Sequence, residues 1–191
     1  MTLILVLGDI HIPQRAADIP AKFRKLLVPG KIDKILCTGN LTDSATLEYL
    51  RGISAELHVV RGEYDADKTL PTALRVPPDG TGNPDALRVG LASGHALVPA
   101  AGDVDALAAA ARQLDVDVLV TGGTHRFEAY EEQGRFFVNP GSITGAFSPG
   151  EPQPIPSFVL METRAARALV AYVYQLVGDE VIVDRIEYEP Q

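Results

Sequence analysis

Carboxylate and imidazole side chains stand just beyond the first apolar run of the chain. Residues 3–7 are all apolar, and Asp9 and His11 follow them within four positions. A carboxylate and an imidazole two residues apart can bind one cation together, and ligands of open α/β sheets collect beyond the carboxyl ends of the strands. The spacing is therefore compatible with a metal site, but a turn capped by Asp9 and a His11 bonded to a backbone carbonyl would explain this pair at least as well by itself.

The same arrangement recurs four more times along the chain. Each time, a short apolar run ends at a glycine that is flanked by polar side chains. Where parallel strands alternate with helices, the carboxyl ends of the strands share one rim of the sheet, so these side chains are expected to meet. The polar residues that follow the four runs are Asn40, Glu63 with Asp65, Ser93 with His95, and Thr124 with His125.

Strands and helices are predicted to alternate over the first two thirds of the sequence. The apolar runs lack polar alternation, which is typical of strands that are covered on both faces. These runs lie at 3–7, 34–38, 57–60, 87–91 and 116–120. Three helices are expected between them: one begins at Pro20, one is capped by Thr42 or Asp43, and one is capped by Asp103 and keeps its apolar residues on one face.

In the last third, predicted strands follow one another without helices between them. A hairpin is expected over 129–139, a further strand at 157–163, and a pairing of 169–176 with 181–188. This pattern predicts an antiparallel sheet packed against the first sheet. The whole chain is therefore expected to form an α/β sandwich.

Composition and charge limit the classes of function. The chain has 191 residues, of which 46% are hydrophobic, and this is enough for a single domain over 1–191 with a substantial core. Its formal net charge is -8. Attachment to nucleic acid or to anionic lipid requires a basic face, so this charge argues against both.

Three further features bear on compartment and organisation. Cys37 is the single cysteine and lies in an apolar run, so no disulfide can form within the chain and a buried thiol is expected. We find no signal peptide and no apolar stretch of membrane-spanning length, which predicts a cytoplasmic protein without direct membrane insertion. Residues 77–84 are rich in Pro, Asp, Gly and Asn and are expected to form an exposed loop rather than a domain boundary.

Taken together, the polar residues form five blocks. These are Asp9-x-His11, Gly39-Asn40, Gly62-Glu63-x-Asp65, Gly94-His95 and Gly123-Thr124-His125. In this order and at these spacings, the blocks resemble the signature of the calcineurin-like metallophosphoesterases. The resemblance implies an α/β fold in which two packed mixed β-sheets are flanked by helices, an α/β/β/α sandwich.

Longer segments narrow the resemblance to one family. The segments lie at 5–13, 25–32, 35–41, 139–146 and 156–161. They resemble the vacuolar protein sorting 29 family, the small subunit of the retromer coat. This resemblance covers nearly the whole chain and implies a non-catalytic adaptor in endosome-to-Golgi retrograde transport, cytoplasmic and held peripherally on endosomes through its complex.

The resemblance also assigns metal ligands. In the superfamily, two metals share a bridging carboxylate and hold a hydroxide that attacks phosphorus. The positions of the first metal carry Asp9, His11, Asn40 and His125 here. The positions of the second metal carry Asn40, Glu63, Ser93 and Gly123, so both of its histidines are missing.

These losses predict a protein without catalytic residues. Asn40 is neutral where a bridging anion is needed, Gly123 offers no ligand atom, and Tyr64 stands where many active relatives carry a protonating histidine. Glu63 is most simply a solvated acid. No cofactor is required, and at most one divalent ion, zinc or manganese, is expected to bind weakly. The alternatives are a weak or mononuclear metal-dependent phosphodiesterase acting on small phosphate esters, and a phosphate-binding module that uses backbone amides of the glycine-rich rim.

Two binding surfaces are implied by the same resemblance. Val98 and Pro99 match the apolar anchor that seats the family in a large helical-repeat scaffold subunit, with ordinary core as the alternative for Val98. A hydrophobic patch matches the surface that relatives use for small-GTPase regulators and adaptors, with a half-buried sheet face as the alternative. The patch positions are Leu3, Leu26, Leu160, Tyr172, Tyr174 and Val183.

Overall fold

The computed structural model describes residues 2–76, 86–164 and 167–190. The expected loop at 77–84 lies outside these residues. The helices are α1 (Ala21–Leu26), α2 (Ser44–Ile53) and α3 (Val104–Leu114). The strands are β1 (Thr2–Leu7), β2 (Lys34–Cys37), β3 (Glu56–Val59), β4 (Ala73–Arg75), β5 (Val89–Ala92), β6 (Val118–Thr121), β7 (Phe127–Glu132), β8 (Arg135–Pro140), β9 (Ser157–Thr163), β10 (Leu169–Val177) and β11 (Glu180–Tyr188).

The strands form two mixed sheets. The first sheet has six strands in the order β11-β10-β9-β1-β2-β3, and the second has five in the order β4-β5-β6-β8-β7. In the first sheet, β1 runs parallel to β2 and antiparallel to β9. In the second, β5, β6 and β8 are parallel to one another, and β4 and β7 pair antiparallel at the edges. The expected mixed-sheet sandwich is confirmed.

The prediction of a separate antiparallel sheet in the last third is wrong. Strand β9 pairs with β1, so that Leu5 lies opposite Leu160, and β9 to β11 thereby extend the first sheet. Strand β8 instead joins β6 in the second sheet. Local alternation identifies neighbouring strands, but it carries no information about which distant strand completes the pairing. The three-residue strand β4 was missed because it is too short to show any alternation.

Burial on both faces explains the apolar character of β1. Ile4 and Val6 belong to the core between the two sheets, whereas Leu5 and Leu7 face a second core beneath α1 and α2. A third core lies under α3, where Leu107 packs on the outer face of the second sheet. The side-chain oxygens of Asp43 and Asp103 cap α2 and α3, so Asp43 rather than Thr42 begins the second helix.

An ion cluster at Asp117 joins two loops of the second sheet to the segment before β10 of the first sheet. Its carboxylate accepts hydrogen bonds from the backbone N–H and side chain of Arg88, at 2.8–3.1 Å, and from Nη2 of Arg167 at 2.9 Å. Burial alone would raise the pKa of Asp117, but the two guanidinium groups outweigh this effect and hold the pKa below its ordinary value of 3.8. The ionised carboxylate therefore stabilises the fold.

We expect Asp117→Asn to lower the free energy of unfolding at pH 7 by roughly 1–3 kcal/mol, because two guanidinium groups lose their shared anion. A pKa that is depressed in the folded state contributes stability above the unfolded pKa, and this stability is lost as the pH falls through the folded pKa. The difference between variant and wild type should therefore shrink below about pH 4 in urea unfolding curves.

Asp115→Asn is the matched control. Its carboxylate also pairs with Arg88, at 2.6 Å, but its side chain is 64% exposed, so the loss should be under about 1 kcal/mol. An equal loss for both variants, or an Asp117→Asn difference that persists unchanged at pH 3, would contradict the role given to Asp117.

Candidate functional site

Four of the candidate ligands adopt left-handed backbone conformations. The φ angles of Asp9, His11, Asn40 and His125 are 45°, 49°, 55° and 60°. Residues other than glycine rarely adopt such angles, and they persist only where surrounding contacts hold them. Three strand ends, those of β1, β2 and β6, thus turn sharply and bring these side chains together.

Hydrogen bonds between the loops hold the turns in place. The N–H groups of Ile10 and His11 both donate to the carbonyl oxygen of Asn40, at 3.1 and 2.8 Å. From the loop after β8, the Ser142 hydroxyl donates to the carbonyl oxygen of Asp9 at 2.6 Å and accepts from the N–H of Ala146 at 2.9 Å. The loops that follow β1, β2 and β8 therefore form one connected unit.

The Asp65 carboxylate organises the loops after β2 and β3. It accepts four backbone N–H bonds at 2.7–3.1 Å. The donors are Asn40, Leu41, Thr42 and Gly62. A side chain at Gly62 would place its Cβ 2.2 Å from the nitrogen of Asn40, so only glycine allows this approach. Asp65 lies in the third sequence block, but its role was not predicted.

Asp9 lies at the centre of the site with no exposed surface. Its carboxylate accepts from Nδ2 of Asn40 at 3.1 Å and from the N–H of Gly123 at 2.8 Å. Burial raises the pKa of Asp9, and the neighbouring His125 together with these two bonds opposes the rise. A buried carboxylate with so few donors around it would gain from a nearby cation.

The two histidines face each other beside this carboxylate. Their rings stack with centroids 4.9 Å apart. Nδ1 of His125 donates to the carbonyl oxygen of Ala146 at 2.5 Å, and Nε2 lies 4.0 Å from Oδ1 of Asp9. Nε2 of His11 is buried without a hydrogen-bond partner in the described part of the chain. Burial lowers the pKa of His11 to about 4, so its ring is neutral at pH 7, the form that binds metals.

These residues fit one divalent cation. Asp9, His11 and His125 each offer a ligand atom, and the three atoms lie within 4.8 Å of one another. Two imidazole nitrogens and a carboxylate oxygen suit zinc or manganese, and the orphaned Nε2 of His11 is the acceptor that such an ion would satisfy.

The other half of a binuclear site lacks this donor set. Both groups of the Asn40 amide are occupied, since Nδ2 donates to Asp9 and Oδ1 accepts from the N–H of Tyr64 at 3.0 Å. Ser93 is buried and its hydroxyl is hydrogen-bonded to Nδ1 of His95 at 2.6 Å. Glu63 lines the cleft but is exposed to solvent. Gly123 contributes only its backbone.

The site opens into a cleft of about 380 Å³. Arg15, Tyr64 and His125 line it, together with the 94–95 and 148–150 segments. The contribution of Arg15 was not predicted, because nothing in its local sequence shows that it stacks on aromatic residues of other loops.

Val98 is an exposed residue and not part of the core. Its side chain is 82% exposed, and Pro99 beside it is exposed as well. The preceding Leu97 packs against the core under α3. One partly buried leucine thus anchors the loop that presents Val98 to solvent.

The hydrophobic patch lies mainly on the outer face of the first sheet. Leu160 stands opposite Tyr172, and Tyr174 stands opposite Val183. Leu26 of α1 and Val183 are 46% and 47% exposed, and the remaining patch residues are half-buried. The patch is therefore a half-buried sheet face with exposed apolar residues at two of its positions.

Within the described ranges, no helix is both long and apolar enough to cross a membrane.

Comparison with known proteins places this geometry in a family. Residues 1–166 match the model of the calcineurin-like phosphoesterase superfamily domain. The chain is 42% identical over 190 residues to vacuolar protein sorting-associated protein 29 of Schizosaccharomyces pombe, and the match covers 97% of each chain.

Solved structures agree with this match. The crystal structure of Chaetomium thermophilum Vps29 superposes with a TM-score of 0.89 at 47% identity, covering 100% of this chain and 98% of that one. Wild-type Vps29 of Entamoeba histolytica, crystallised with Zn²⁺, superposes with a TM-score of 0.87 at 42% identity, covering 97% and 99%. The chain therefore belongs to the vacuolar protein sorting 29 family of the calcineurin-like phosphoesterase superfamily.

Proposed function

We propose that residues 1–191 form a single domain that serves as the small, non-catalytic subunit of the retromer endosomal sorting coat. In this role the chain acts in endosome-to-Golgi transport, in the cytoplasm and peripherally on endosomes through its complex. The observation that carries the proposal is the half-complete metal site of a chain that belongs to this family. Two apolar surfaces remain for binding partners.

The loss of catalysis follows from charge and geometry. A binuclear phosphoesterase needs two ions to hold the attacking hydroxide and to absorb the charge that develops on phosphorus. Here the trio of Asp9, His11 and His125 can hold one ion, whereas Asn40 brings no negative charge and already donates to Asp9. A single ion would polarise an ester oxygen but would leave the nucleophile without its second support.

A mononuclear phosphodiesterase is the second candidate function, and the intact trio favours it. The Entamoeba relative was crystallised with Zn²⁺, which supports metal occupancy in the family. Occupancy by itself is compatible with either a structural ion or a weak enzyme, so turnover separates the two.

Calorimetric titration with Mn²⁺ and Zn²⁺ should reveal at most one weak site, and bis-p-nitrophenyl phosphate should not be turned over above background. Asp9→Ala should abolish the remaining metal binding, because it removes the only carboxylate of the trio. Asp105→Ala, an exposed acid on α3, is the control and should leave binding unchanged. Two tight sites, or robust turnover that disappears in Asp9→Ala, would refute the non-catalytic proposal.

We place the large helical-repeat scaffold subunit at the Val98 loop beside the cleft. An apolar side chain that is 82% exposed gains free energy when a partner covers it. Because Leu97 fixes the loop on the core under α3, little conformational entropy is lost on binding.

Val98→Asp is expected to abolish co-purification with the scaffold subunit, since docking would bury an unpaired charge. The fold should be unaffected, with a change in unfolding free energy within about 0.5 kcal/mol. Val177→Asp is the matched control, because Val177 is also an exposed valine, at 43%, but lies on β10 of the first sheet. Normal yield of scaffold with Val98→Asp would exclude this surface.

We assign regulators of small GTPases and related adaptors to the hydrophobic patch. Helices α1 and α2 pack on the outer face of the first sheet, but Leu160 and Tyr174 are only partly buried against their core. The apolar area around these two residues is not fully covered by the helices. It can therefore bind an apolar segment of a partner.

In a pull-down with both partners present, Leu160→Glu should abolish binding of the small-GTPase regulator. Binding of the scaffold subunit should be retained. Val183→Asp should do the same at a smaller structural cost, because Val183 is 47% exposed. Ile182→Asp is the control. Ile182 is the neighbour of Val183 in β11 and is 45% exposed, but its side chain points to the opposite face of the sheet. If Ile182→Asp lost the regulator as completely as Val183→Asp, the patch would not be the binding surface.

A further inference from the structure

Arg15 is held over the metal-ligand trio by contacts from three loops. Its N–H donates to the carbonyl oxygen of His11 at 2.9 Å, one turn after β1. Its guanidinium carbon lies 4.5 Å from the ring centroid of Tyr64 and 5.4 Å from that of Phe147. Nη1 also donates to the carbonyl oxygen of Phe147 at 3.1 Å. Two aromatic faces and a carbonyl group thus fix the position of the positive charge.

A continuous stack connects this charge to the ligands. The Tyr64 ring beneath Arg15 meets the His11 ring edge-on, with centroids 5.3 Å apart, and His11 stacks on His125. Arg15 and His125 line the same cleft. The proximity has an electrostatic consequence, since Arg15 is one of the charges that lower the pKa of His11, after burial and His125.

The charge of Arg15 is not neutralised by an ion pair. Among the described residues, no carboxylate lies within salt-bridge distance of its guanidinium group. Arg126 is different, because it lines the same cleft but pairs with Glu128 at 2.7 Å. The cleft therefore contains one compensated and one uncompensated arginine.

We infer that Arg15 is a fixed cationic cap that weakens the binding of divalent cations at Asp9, His11 and His125. The guanidinium group lines the cleft into which the trio opens and opposes the approach and retention of a second positive charge. A unit charge that faces a divalent ion across a partly desolvated cleft changes Kd by about tenfold. This inference rests on the proposed single weak metal site and identifies a residue, outside the ligand set, that keeps it weak.

Calorimetric titration of the full chain with Zn²⁺ at pH 7.5 tests the inference. Arg15→Gln removes the charge and should tighten Zn²⁺ binding by about tenfold. Arg15→Lys retains a positive charge and should stay within about threefold of wild type, since the Coulomb term is largely kept. Arg126→Gln makes the same change in net charge, but the Arg126 side chain is 60% exposed and screened by solvent, so its effect on Kd should be smaller than that of Arg15→Gln.

An unchanged Kd in Arg15→Gln would overturn the inference. Equal tightening in Arg15→Lys or Arg126→Gln would also overturn it, because the effect would then be steric or due to net charge. Thermal melting verifies the fold, and Arg15→Met replaces the glutamine variant if that variant melts early. Two tight zinc sites in the wild type would refute the proposed function. The role of Arg15 is tested separately, by the ratio of the Kd values of variant and wild type.

Discussion

The Asp65 carboxylate is the interaction on which the rest of the site depends. By accepting four backbone N–H groups, it fixes the loop after β2 in a conformation that the chain would otherwise avoid. The carbonyl oxygen of Asn40 then accepts from the loop after β1, which orients Asp9 and His11. One acidic side chain thereby determines where three other polar side chains lie.

This dependence explains how a metallophosphoesterase scaffold persists without a complete metal site. The turns are held by hydrogen bonds among backbone groups, Asp65 and Ser142, and none of these bonds requires a metal ion. The amide of Asn40 uses both of its groups in the same network. The rim can therefore keep its shape whether or not a metal ion is bound.

Sequence alone predicted features that depend on local signals. The apolar run of β1, the caps at Asp43 and Asp103, and the polar residues at strand ends all follow from periodicity and short-range spacing. The sheet to which β9 belongs could not be predicted, because its pairing with β1 joins positions more than 150 residues apart. The roles of Asp65 and Ser142 were missed for a related reason, since each binds backbone groups of a remote loop. Whether Val98 was core or surface depended on tertiary packing that no local pattern encodes.

The direction of β1 also determines how the two proposed surfaces relate energetically. Leu3 lies near its start and Asp9 just beyond its end, so about six residues of extended chain, roughly 20 Å, separate them. Because β1 is buried on both faces at its centre, it cannot shift to accommodate one ligand at the expense of the other. Occupancy at the two ends should then be thermodynamically independent, with additive binding free energies, and the protein would behave as a rigid connector between partners rather than as an allosteric switch.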